Sequence, residues 1–116
     1  MNTWEHEFNW LQVRHKVKEW MNLDKLPDLN GVLYLIGIQE YGRVKATFTK
    51  EEKQDLIHIA VCELLSQDGY YEFKGRDEEG WPHYDIIKAI NKKGVDNQEE
   101  LLKEKVVTYF AKMVNE

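Results

Sequence analysis

The stretch Val32 to Ile38 lies between a start signal at Pro27-Asp28 and a stop at Gly42. At helical spacing Val32, Leu33, Leu35, Ile36 and Ile38 point in every direction, so the helix that begins at its N-cap Asp28 has no polar face to offer to water. Such a helix is stable only when other elements surround it. Gly31 and Gly37 lower its intrinsic helix propensity, but they also remove side chains where a second backbone needs room. The rest of the chain must therefore supply the covering layers.

The first of these layers is a long amphipathic helix. Thr3 is its N-cap, Glu5 and Glu7 fall in its first turn, and it runs to about Asn22. Trp10, Val13, Val17, Trp20 and Met21 form one apolar stripe, while Trp4, Phe8 and Leu11 project about 150° away from it. Three of the four tryptophans of the chain lie in the first 20 residues, and each indole carries a large apolar area. Helix 1 accordingly needs two apolar neighbours: the rest of the domain on one side, and on the other a second copy of the chain or an element folded back on its first turns.

An extended connector is expected over Arg43 to Phe48. Thr49 and Glu52 then form a capping box for helix 3, which ends near Gln67 at the Asp68-Gly69 stop. Its inner face reads Leu56, Ile57, Ala60, Val61, Leu64 and Leu65. Tyr70 to Lys74 and His83 to Ile87 are β-prone, and Gly75 to Pro82 between them supplies turn residues, which predicts a hairpin with a long acidic tip. After polar punctuation at Asn91 to Gly94, Asn97 to Glu100 caps helix 4, which runs to about Val114 with Leu102, Val106, Tyr109, Phe110 and Met113 as its inner stripe. The fold class expected is α+β, mostly α: about four helices with one β-hairpin between helices 3 and 4. No repeat, low-complexity segment or linker divides the chain, so a single domain over residues 1–116 is expected.

With 116 residues and 42% apolar composition, the chain is long enough to bury a core without metals or disulfides. No apolar run approaches the roughly 18 residues that span a bilayer, so no membrane association is expected. The start MNTWEHEFNW lacks the pattern of a secretory signal, and the single cysteine, Cys62, fits a reducing compartment, so a cytoplasmic location is expected. Residues 1–58 hold eight basic and nine acidic side chains, and residues 59–116 hold eight and twelve. This balance counts against nucleic acid as the main partner, because phosphate binding relies on clustered Lys and Arg.

Few residue sets point to chemistry. His58 and Cys62 are spaced i, i+4 and can reach one ion, but zinc needs three or four ligands and no CxxC pair supplies them. Packing is the simpler role for both. Gly80-Trp81-Pro82-His83-Tyr84 joins a rigid turn to an indole, an imidazole and a phenol, and His83 oriented by Asp77 or Asp85 has the chemistry of a general base. No nucleophile or oxyanion motif accompanies it, so the reading leans away from an enzyme, and no catalytic residue, cofactor site or metal site is assigned. Glu51, Glu52 and Asp55, like Asp77, Glu78 and Glu79, lack calcium-loop spacing and read as solvated surface. Arg14, His15, Lys16 and Lys18 rim the apolar stripe of helix 1.

Leu64, Leu65, Gly69, Tyr70, Gly80, Pro82 and Tyr84, followed by helix 4, resemble the recognition helix, wing and dimerising helix of PadR-type winged-helix regulators. That resemblance implies a DNA-binding scaffold. Glu51, Glu52 and Asp55 at the start of helix 3, and the acidic wing, imply that its phosphate contacts have been lost. The whole sequence, particularly Phe48 to Tyr84, is also similar to small bacterial proteins of unknown function, which implies a bacterial cytoplasmic origin and a helical fold with a hairpin. The function expected is a non-enzymatic interaction module, with a homodimer or another protein as partner. Its ligand or partner surface is sought among Trp81, His83, Tyr84, His58, Trp10 and Trp20. A degenerate winged-helix nucleic-acid binder and a small-molecule or enzymatic site near the GWPHY hairpin are the alternatives.

Overall fold

The computed structural model describes residues 3–43, 45, 47–88 and 95–114. They form α1 (Thr3–Met21), α2 (Leu29–Tyr41), α3 (Lys50–Ser66), β1 (Tyr71–Arg76), β2 (Pro82–Ile86) and α4 (Val95–Val114). The fold is therefore α+β and mostly helical, with one antiparallel hairpin between the third and fourth helices.

Local chemistry sets most boundaries. At the start of α2, Asp28 Oδ1 accepts the Gly31 amide at 2.9 Å, and α1 ends where Asn22 turns left-handed at φ 54°. The capping box of α3 is complete: Thr49 Oγ1 accepts the Glu52 amide at 3.1 Å and Glu52 Oε1 accepts the Thr49 amide at 2.9 Å. Other boundaries depart from expectation. Thr3 is already helical, and α4 begins at Val95, two residues before the expected cap. The stretch Asn91 to Gly94 lies outside the described residues. In the connector, Arg43, Lys45, Thr47 and Phe48 are described and join no sheet. The hairpin tip is shorter than expected, because Gly75 and Arg76 belong to β1 and Pro82 to β2.

Contacts gather the chain into two compact units, divided between residues 32 and 33 and rejoined at residue 92. The first holds α1, the opening turn of α2, and α4. Here α1 and α4 run side by side in the same direction: His6 Nε2 meets Glu100 Oε2 at 3.1 Å, Lys103 Nζ lies 5.7 Å over the Trp10 ring, and Trp20 stacks on Phe110 at 5.6 Å. Trp10, Val13, Val17, Val106 and Phe110 are buried. Trp20 is a correction to the expected inner stripe. It is 50% exposed, because the stack on Phe110 covers one ring face and leaves the other to solvent.

The second unit holds the remainder of α2, α3 and the hairpin. Its core is built from Leu33, Ile36, Tyr41, Leu56, Ile59, Ala60, Leu64 and Leu65. α2 and α3 approach backbone to backbone at Gly37. A methyl group placed there would lie 2.6 Å from the Leu56 carbonyl carbon and closer still to its oxygen. The strands pair Tyr71 with Ile86, Glu72 with Asp85 and Phe73 with Tyr84, then slip by a bulge between Phe73 and Gly75.

Helix propensity alone favours Ala over Gly by about 1 kcal/mol, yet Gly37→Ala is expected to destabilise the protein by about 2–3 kcal/mol, because the Leu56 backbone cannot yield. Urea unfolding of the variant measures this; a stability equal to or above wild type contradicts the close approach.

Candidate functional site

The hairpin tip is organised by one carboxylate. The turn Asp77-Glu78-Glu79-Gly80 closes with the Gly80 amide donating to the Asp77 carbonyl at 3.0 Å, and Gly80 sits at φ 89°, where any other residue is strained. Asp77 Oδ1 accepts the amides of Glu79 at 2.9 Å and Trp81 at 3.0 Å, and Oδ2 meets His83 Nε2 at 2.9 Å. The hydrogen bond from His83, followed by that from the Trp81 amide, holds the Asp77 carboxyl below its ordinary value of 3.8.

This turn and α3 enclose a cleft of about 350 Å³. Ile59, Trp81 and Pro82 give it apolar walls, and His58, His83 and Asp55 stand at its edge. Three of the six residues singled out from sequence, His58, Trp81 and His83, thus share one cavity. Of the two carboxylates considered as partners for His83, Asp77 takes the role, and Asp85 pairs with Lys74 at 2.9 Å. Tyr84 serves a different contact, donating its hydroxyl to Glu63 Oε2 at 2.7 Å; burial, then that carboxylate, pushes its ionisation well above the ordinary range. Trp10 and Trp20 belong to the first unit. His58 Nε2 lies 3.6 Å from Cys62 Sγ, and Cys62 is buried; burial, with the Glu63 charge adding to it, pushes its thiol up to about 11. Among the described residues no three His, Cys, Asp or Glu side chains gather around a common point that a metal ion would fill.

The outer face of α1 is the other candidate. Trp4 is 63% exposed, Phe8 49% and Leu11 40%, and Trp4 and Phe8 lie against each other with ring centroids 6.4 Å apart. The spacing of four and then three residues makes them a single ridge on the helix. Glu5 and Glu7 flank its N-terminal half, while Arg14, His15, Lys16 and Lys18 follow in the C-terminal half.

Two contributors were not foreseen. Arg76 reaches out of β1 to cap the end of α2: Nη1 donates to the carbonyl oxygens of Tyr41 and Gly80, both at 2.9 Å, and Nη2 to that of Glu40 at 2.6 Å. Trp81 is stacked on Tyr41, centroids 4.3 Å apart. No local pattern signals either contact, since the partners are separated by some 35–40 positions in sequence. The turn role of Asp77 does have a local signature, an acidic residue three positions before a glycine.

Among the described residues no helix is long and apolar enough to cross a membrane. Comparison with protein-family models, with curated proteins and with solved structures finds no match for the chain.

The geometry carries two expectations. A carboxyl held low in the folded protein keeps its contribution at and above pH 3.8 and loses it as the pH falls through the lower folded value. A carbon-13 NMR titration should therefore place the Asp77 midpoint below 3.8, and His83→Ala should move it upward; a midpoint indifferent to that substitution contradicts the pairing. Cys62 should remain a neutral thiol when folded, so at pH 8 its alkylation by iodoacetamide should be slower than in the urea-unfolded chain by about a hundredfold. Equal rates would show that the thiol is open to solvent.

Proposed function

We propose that this protein is a non-enzymatic interaction module, and that the outer face of α1 holds a second copy of the same chain. One observation carries the reading: Trp4, Phe8 and Leu11 form a continuous, largely exposed apolar ridge on a regular helix. Covering three large side chains contributes on the order of several kcal/mol, and contiguous exposed apolar surface of this kind marks association sites.

The charge layout favours self-pairing over an arbitrary partner. Glu5 and Glu7 lie beside the ridge, and Arg14, Lys16 and Lys18, followed by Glu19, come after it toward the C-terminal end of α1. When two α1 helices pack antiparallel with the two ridges against each other, the acidic N-terminal turns of one protomer lie toward the basic half of its partner, with Arg14 to Lys18 extending beyond the partner's Glu5. A parallel arrangement places like charges side by side. The contact is isologous, so it closes as a dimer instead of growing into a filament.

A second reading, a small-molecule site in the hairpin cleft, has the convergence of His58, Trp81 and His83 in its favour. The role of Asp77 argues for a structural tip, because both of its oxygens are engaged in holding the turn and His83.

Light scattering coupled to size exclusion tests the dimer. At concentrations up to about 100 µM the wild-type mass should rise toward twice the 13.9 kDa of one chain, and Phe8→Glu with Leu11→Glu should return it to 13.9 kDa without loss of helical circular dichroism. A wild-type protein that stays at 13.9 kDa throughout this range removes the reading.

A further inference from the structure

A second cavity lies in the second unit, lined by Tyr34 and Ile38 of α2, by Arg43, Lys45, Thr47 and Phe48, and by Lys53 of α3. Its volume is about 670 Å³, within the range of small-molecule sites. Tyr34, Ile38 and Phe48 form the floor, and Arg43, Lys45 and Lys53 stand around it. The chain as a whole carries a net charge of -5, yet among the described residues the groove is lined by Arg43, Lys45 and Lys53 and by no carboxylate, Glu52 beside it being tied to Lys45.

We infer that this groove binds a small organic anion carrying a flat ring, of the class of a nucleoside monophosphate. The ring requirement comes from the floor. Tyr34 and Phe48 meet edge to face, at 85° with centroids 6.3 Å apart, so their two walls form an aromatic corner. A flat ring seated there stacks on one wall and meets the other at its edge, the two geometries that aromatic groups prefer. Phe48 is itself held by Tyr41, 6.1 Å away at 67°, so the corner is fixed by the core behind it.

The anion requirement comes from the rim. Lys45 is tied to Glu52 and lies 5.5 Å over the Phe48 ring, so its charge is compensated and its role is to hold the wall. Arg43 and Lys53 pair with no carboxylate among the described residues, and both are exposed. Arg43 is positioned by the hairpin tip: a methyl group placed on Gly80 would fall 2.7 Å from its Nη2 and nearer still to Nε. Two cations from separate elements thus line the groove along with its apolar floor, and a phosphate bound there can take charge-assisted hydrogen bonds that neither cation offers a neutral ligand. At the start of α3 the Thr49 capping box already engages the amides of Thr49 and Glu52.

Isothermal titration calorimetry of the full chain with adenosine monophosphate, adenosine and inorganic phosphate tests the assignment. Adenosine monophosphate should bind saturably at about 50 mM salt and weaken as salt is raised, and adenosine and inorganic phosphate should each bind at least about tenfold more weakly. Lys53→Glu and Lys53→Gln, both on an exposed helical position, should lower the affinity by about tenfold and somewhat less, respectively. Phe48→Leu, which retains apolar bulk, should remove the preference for the nucleotide over phosphate. Absence of binding at millimolar adenosine monophosphate overturns the inference, as does an affinity unchanged in Lys53→Glu. Phosphate binding as tightly as the nucleotide removes the ring from the ligand class, and a short oligoadenylate binding more than about tenfold tighter than the nucleotide reassigns the groove to a strand.

Discussion

The absence of a side chain at Gly37 underlies most of the second unit. Because nothing larger than hydrogen stands there, α2 and α3 meet at the Leu56 backbone and seal Ile36, Leu56 and Ala60 between them. The end of α2 then falls within reach of the hairpin, where Arg76 takes up the carbonyl groups that a helix terminus leaves without partners. Trp81 closes over Tyr41 in the same place. A row of rings continues outward from that stack, Trp81 to Tyr41 to Phe48 to Tyr34. The hairpin cleft lies at its Trp81 end and the cationic groove at its Phe48 and Tyr34 end.

The two cavities differ in how their polar groups are already used. In the cleft, Asp77 engages three donors and its charge is absorbed by the turn that it builds. In the groove, Arg43 and Lys53 pair with no carboxylate among the described residues and share the lining with an aromatic floor. A ligand entering the cleft has to compete with contacts that hold the hairpin together. In the groove the contacts are those of Lys45 with Glu52 and Phe48 and the packing of Arg43 on Gly80.

The first unit follows a different logic. Its α1 has two apolar faces, and α4 lies along the one bearing Trp10, Val13 and Val17. The ridge of Trp4, Phe8 and Leu11 faces solvent, with Glu5 and Glu7 beside it and basic residues following it along the helix. Glu5 in the first turn and Lys18 in the last turn also complement the helix dipole.

Caps and periodicities are local, and they were legible in the chain before any coordinates. Asp28, Thr49 with Glu52, and the Asp77 to Gly80 turn each declare a boundary, because the hydrogen bonds they form span three or four residues. The outward-facing second stripe of α1 was readable for the same reason. Burial of Trp20 was misread, since helical spacing gives the direction of a side chain but not whether its neighbour covers one ring face or two. Arg76 on the end of α2, Trp81 on Tyr41 and the Tyr34–Phe48 corner beneath Arg43 and Lys53 had no signature in the sequence. Those groups come together only because two helices cross closely enough at one glycine, and the packing of distant segments is a property that no window of neighbouring residues contains.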